Sequence, residues 1–251
     1  MTTRREILLG GALILLGGSA TRTCLAIDDA PGCSISRVAA LGYLGYEDTF
    51  DPRRDHVISR SGNKDFDYAA AHTLSKLADL FGILPGFAFF NKGHSGNAFA
   101  CPSIILHQTH PDGAVLFGRD LLFDVMSYDE GPDTAFSTIC AHEFAHILQF
   151  KLGLIGRLNR GQPTVKRSEL HADFLAGFFA GMRKLEKPSF KAAVYAETLH
   201  KLGDYAFESP EHHGTPEERA DAIVHGFKTA YEGKHNIADA IGIGVAFVSG
   251  R

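Results

Sequence analysis

The segment Thr138-Ile139-Cys140-Ala141-His142-Glu143-Phe144-Ala145-His146-Ile147-Leu148 sets two histidines four residues apart with a glutamate beside the first. On a helix, residues four apart share a face with Cβ atoms about 5–6 Å apart, so His142 and His146 can both reach one tetrahedral Zn²⁺. Glu143 is then placed to take a proton from a metal-activated water rather than to bind the ion. A chain of this composition produces such a spacing by accident roughly 0.03 times, so a second element is needed. It is found downstream in Glu169-Leu170-His171-Ala172-Asp173, where Glu169 and Asp173 again share one helix face. Glu169 can supply a third ligand, and Asp173 can accept the free ring N–H of a ligating histidine and fix its tautomer. In a segment as apolar as Phe174, Leu175, Phe178, Phe179 and Met182, inward carboxylates are costly unless a metal and imidazoles compensate them.

The elements that must hold these residues follow from periodicity. Apolar residues at helical spacing from Tyr68 through Ala70, Leu74, Leu77, Leu80 and Phe81, stopped by Gly82 and Pro85, predict a packing helix. Phe87 to Phe90, Asn97 to His107 and Ala114 to Gly118 are short β-prone runs. The last two are joined by the turn signal His110-Pro111-Asp112-Gly113, and together the runs predict a small antiparallel sheet. The remainder reads as helices near 133–152, 168–186, 190–203 and 216–231, with a small-residue apolar segment near 237–248. Thr215-Pro216-Glu217-Glu218 has the form of a capped helix start. Strands early and helices later imply an α+β fold. His171 lies about 200° around the helix from Glu169 and is expected to point away from the metal. His56, His72, His94, His107, His110, His200, His225 and His235 lack a metal-spaced partner and read as structural or surface residues.

Length, charge and composition exclude other classes. The chain has 251 residues, is 45% hydrophobic and carries a formal net charge of −4, without a basic stretch interleaved with aromatics, so nucleic acid is not an expected partner. Its one conspicuous apolar run, Ile7 to Gly18, is shorter than the ~20 residues of a membrane-spanning helix, so no span is expected in the mature chain. That run follows Arg4-Arg5 and precedes Ala20 and Cys24-Leu25-Ala26, the three-part pattern of a cleaved export signal over residues 1–26. The paired arginines fit a twin-arginine signal, and a general secretory signal with the same basic end is the alternative. The expected destination is the periplasm or the medium. Residues 27–66 are polar and broken by Asp51-Pro52-Arg53-Arg54-Asp55, an irregular lead-in, and residues 67–251 form the working domain. Of the four cysteines, Cys24 falls in the signal, leaving Cys33, Cys101 and Cys140 and room for at most one disulfide of open pairing.

With these residues in hand, the chain resembles the gluzincins, zinc metallopeptidases that combine His-Glu-x-x-His with a downstream Glu-x-x-x-Asp. Asn97-Ala98-Phe99-Ala100, Val115 to Leu122 and Ala141-His142-Glu143 are similar to soluble relatives of the HtpX-like and CAAX prenyl proteases. Ser168 to Asp173 with Ala176-Gly177, and His213-Gly214-Thr215-Pro216-Glu217-Glu218-Arg219, resemble bacterial neutral zinc metallopeptidases. The resemblance covers about residues 97–231. It implies one Zn²⁺ per chain bound by His142, His146 and Glu169, Glu143 as general base, Asp173 behind a ligand, and His213 steadying an oxyanion. Asn97, Ala98 and Phe99 would lie on the strand that holds an extended peptide or protein substrate, and Arg219 would brace the His213 region through an ion pair. Two other readings of the same site stay open, a zinc-holding binding or chaperone module without hydrolysis and a hydrolase acting on a non-peptide amide.

Overall fold

The computed structural model describes residues 60–91, 96–129 and 131–250. The expected export signal, most of the lead-in, Cys24, Cys33, His56 and His94 lie outside them. Helix α1 (Lys64–Phe81) begins four residues before the apolar period does, because the Asn63 side chain accepts from the N–H groups of Asp65 and Phe66 and nucleates a polar first turn. It ends where Gly82 takes the left-handed conformation.

The sheet has three strands, β1 (Gly86–Phe90), β2 (Ala98–Cys101) and β3 (Ala114–Gly118), in the order β1-β3-β2. β2 and β3 pair antiparallel as expected, with Ala98 opposite Phe117 and Cys101 opposite Ala114. β1 instead runs parallel to β3, from Gly86 opposite Ala114 to Phe90 opposite Gly118, so the sheet is mixed. The central strand β3 is apolar without alternation because both its faces are covered. Val115 and Phe117 face the helices, while Ala114 and Leu116 join a second cluster with Phe90, Phe99 and Ile104. β2 stops at Cys101, short of the expected His107, since Pro102 has no N–H for the ladder. Gly113, with φ +94°, closes the return so tightly that a Cβ there would lie 2.6 Å from the Cys101 carbonyl oxygen.

Helix α2 (Arg119–Met126) follows β3 directly, in a stretch where periodicity alone assigns no helix. Then come α3 (Pro132–Lys151), the short α4 (Ile155–Leu158), α5 (Lys166–Glu186), α6 (Ala193–Lys201), α7 (Pro216–Tyr231) and α8 (Ile237–Val248). α3 is buried from Thr134 to Gln149 and α5 from Ser168 to Gly181, so these two form the centre. Their apolar side chains, among them Phe136, Phe144, Phe174 and Phe178, belong to one core reaching from Ala70 to Ala240. α5 and α7 meet backbone to backbone. A Cβ on Gly177 would sit 2.0 Å from the Ile223 carbonyl oxygen, and one on Gly226 would sit 1.8 Å from that of Phe174. Cys101 and Cys140 are both buried. Among the described residues no helix is long and apolar enough to cross a membrane.

Candidate metal centre

α3 and α5 present His142, His146 and Glu169 to one point inside the core, all buried, with their donor atoms within 4.8 Å of one another. His142 Nε2 and His146 Nε2 are 3.0 Å apart, and Glu169 Oε2 lies 3.2 and 3.4 Å from them. A tetrahedral ion with bonds of about 2.0–2.1 Å keeps its ligand atoms about 3.3 Å apart, so this triangle has the dimensions of one face of such a site. The group could hold a metal ion. Burial opposes the charge on Glu169, yet the two imidazoles hold its carboxyl well below the usual range.

Each ligating ring is held from behind. His142 Nδ1 donates to Asp173 Oδ1 at 2.7 Å, and Asp173 is gripped by Arg219, whose Nε and Nη2 donate to its two oxygens at 2.8 and 2.9 Å. Burial alone would raise the Asp173 carboxyl pKa, but the guanidinium and His142 keep it below the ordinary value. Arg219 is itself buried and also donates to the Leu202 carbonyl. On the other side, His146 Nδ1 lies 3.0 Å from Gln149 Oε1. Gln149 Nε2 donates to the Ser168 carbonyl at 2.8 Å and lies 3.1 Å from His171 Nδ1. His171 Nε2 in turn lies 3.2 Å from the Ile241 carbonyl of α8. Burial pushes the His171 imidazole pKa down to about 4, so the ring is neutral at ordinary pH.

One cleft of about 190 Å³ opens beside this centre, and its wall includes Asn97, His142, Glu143, His213 and Arg219 together with Ile139 and Leu199. Glu143 is itself buried. His213 reaches the wall from the loop before α7, where the Thr215–Glu218 capping box expected from sequence is present. Its backbone N–H donates to Asp204 Oδ2 at 3.0 Å and its Nδ1 is 3.4 Å from the same oxygen. His212, next to it, engages the other Asp204 oxygen through Nδ1. These contacts, with the Ala206 N–H, hold the Asp204 carboxyl well below its ordinary range despite some burial. The Cys140 thiol is driven up by burial and by Glu143, which removes it as a nucleophile.

No family model, no curated protein and no solved structure matches the chain.

The structure therefore brings together His142, Glu143, His146, Glu169, Asp173 and His213, and it places Asn97 at the mouth of the same cleft. Ala98 and Phe99 turn their side chains into the two apolar clusters and do not line the cleft. Among the described strands β2 is an edge of the sheet. His171 does point away from the triangle, but it is fully buried and linked to it through Gln149 rather than merely structural. Gln149, one turn beyond His146, is missed from sequence because an uncharged polar residue near a helix end carries no signal. Asp204 and His212 sit in a loop with no period to flag them.

Proposed function

We propose that the chain is a zinc-dependent peptidase of gluzincin type, hydrolysing peptide bonds with Glu143 as general base. The observation that carries this reading is the triangle of two imidazole nitrogens and one carboxylate oxygen at 3.0–3.4 Å, with Glu143 lining the same cleft as its His142 corner. Two imidazoles and one carboxylate, with room for a fourth ligand, form the donor set of catalytic zinc. Bound there, zinc would act as a Lewis acid on a substrate carbonyl and bring the pKa of a water toward ~7.

The remaining work falls to the chain's own groups. Glu143 accepts the water's proton and can return it to the leaving amine. Asp173, neutralised by Arg219, holds the His142 ring with Nε2 turned to the ion. His213, held by Asp204 on the cleft wall, would donate to a developing oxyanion. Asn97, which lines the cleft, can meet a substrate bound there. Residues 1–26, with Arg4-Arg5, fit export of the protein, by the twin-arginine route if changing both to lysine strands the precursor inside the cell.

The test compares wild type with Glu143→Gln at equal zinc content on a broad peptide library. Glu143→Gln keeps size and metal but cannot take the proton, and its hydrolysis should fall by about 10²–10⁴. Equal cleavage by both proteins would remove Glu143 from the mechanism. A wild type that holds zinc and cleaves nothing would leave a metal-holding binding module.

A further inference from the structure

The two ligating histidines do not rest on the same kind of support, and the second support fixes a proton without using a charge. Gln149 sits among three partners. The Ser168 carbonyl can only accept, so the Gln149 atom 2.8 Å from it must be the amide nitrogen. The amide oxygen then faces His146 Nδ1 at 3.0 Å, and Nδ1 must carry the hydrogen. The second amide hydrogen points to His171 Nδ1 at 3.1 Å, which must therefore offer a lone pair. That ring satisfies the condition, because its Nε2 lies 3.2 Å from the Ile241 carbonyl, another pure acceptor, and so bears the hydrogen. Each link admits one donor and one acceptor, and both chain ends are backbone carbonyls.

We infer that Gln149, oriented by Ser168 and His171, is a positioning residue that sets the tautomer of His146, with Nδ1 protonated and the Nε2 lone pair aimed at the metal. The chain spans three helices. Gln149 and His146 lie on α3, Ser168 and His171 on α5, and the terminal carbonyl on α8. A carboxylate at 149 could serve His146 as acceptor but could not donate to Ser168. An apolar side chain could do neither. The amide is the group that accepts toward the ligand and donates twice behind it.

This inference rests on the metal-site reading above, and its test separates the two. In the metal-free full chain, uniformly ¹⁵N-labelled, a long-range ¹H–¹⁵N spectrum at neutral pH should show His146 with the hydrogen on Nδ1. Finding it on Nε2 overturns the inference whatever the protein binds. Titration with Co²⁺, followed by its visible absorption, should show affinity weakened about 10–100-fold in Gln149→Leu. Gln149→Glu, which restores the acceptor, should recover a large part of that loss. Binding by Gln149→Leu within about twofold of wild type, or equal losses in the two variants, overturns the assignment. Absence of Co²⁺ binding by wild type would instead overturn the metal reading and leave the spectrum to judge Gln149.

Discussion

His142 and His146 are adjacent ligands backed by opposite chemistries. Behind His142 stands a buried ion pair, Asp173 with a two-pronged Arg219, drawn from α5 and α7. Behind His146 stands a neutral chain, Gln149 and His171, drawn from α3, α5 and α8. The charged support makes its ring a stronger donor to a cation, at the cost of a carboxylate in the core that must have its guanidinium. The neutral support has no desolvated charge to compensate, and every hydrogen in it must find an acceptor instead. One site thus meets the same need, a fixed imidazole, by electrostatics on one side and by donor–acceptor exclusion on the other.

The largest effect should come from breaking the charged side. Arg219→Ala leaves the Asp173 carboxylate buried beside His142 alone, and stability should fall by about 3–5 kcal/mol. His171→Leu, which leaves one amide hydrogen unmet, should cost only about 1–3 kcal/mol. Equal shifts in denaturant midpoint for the two variants would erase the distinction drawn here.

The two supports should also fail at different pH in the metal-free protein. His171 has its folded pKa pushed down to about 4 by burial, against 6.5 for the free ring. Between these values the unfolded chain binds the extra proton, so stability contributed by the neutral ring is present above pH 6.5. It is lost as pH falls toward 4, at no more than about 1.4 kcal/mol per unit. Asp173 has its pKa lowered below 3.8, so its contribution persists through that window and is lost only under more acid conditions. Unfolding curves from pH 7 to 3 should therefore show a first decline that His171→Gln removes. A decline unchanged in that variant assigns the slope elsewhere.

The smallest effect should come from outside both supports. Gly244 on α8 faces His171, and a Cβ there would lie 3.0 Å from its Cδ2 and 2.8 Å from Phe174 Cδ1. Gly244→Ala should displace the ring slightly and weaken Co²⁺ binding a few-fold, about 1 kcal/mol, while leaving Arg219 and Asp173 untouched. No change in affinity would mean that the neutral chain tolerates movement at its far end.

The charged half of this contrast was open to a reader of the sequence and the neutral half was not, for physical reasons. Glu169 and Asp173 are carboxylates at helical spacing inside an apolar segment, a costly pattern that demands an explanation. Gln149 is an uncharged residue near the end of a helix, where polarity is ordinary. His171 was placed correctly by its angle around α5, but what waits at that angle is α8, and a single helix carries no information about its neighbours. The same holds elsewhere. The capping box set the start of α7 to the residue. By contrast, α2 follows β3 with no intervening turn and no side-chain cap, so no local signal marks a helix start at Arg119. The parallel pairing of β1 with β3 depends on distant registers that no local pattern encodes.

The placement of these groups along the chain has a consequence for the order in which the site can be built. The ligands and their contacting partners occupy positions 142–173, whereas Arg219 and the Ile241 carbonyl follow on later helices. As the chain emerges from the ribosome, N-terminal end first, α3 and α5 can pair while Asp173 still lacks its guanidinium and His171 its acceptor. The Gly177–Gly226 seam then admits α7 only at full backbone contact, which delivers Arg219 in one step, and α8 seats last. The finished support is thus a product of the completed fold, and a nascent chain halted before α7 would hold its histidines close together with the Asp173 charge uncompensated behind His142 and His171 lacking its carbonyl acceptor.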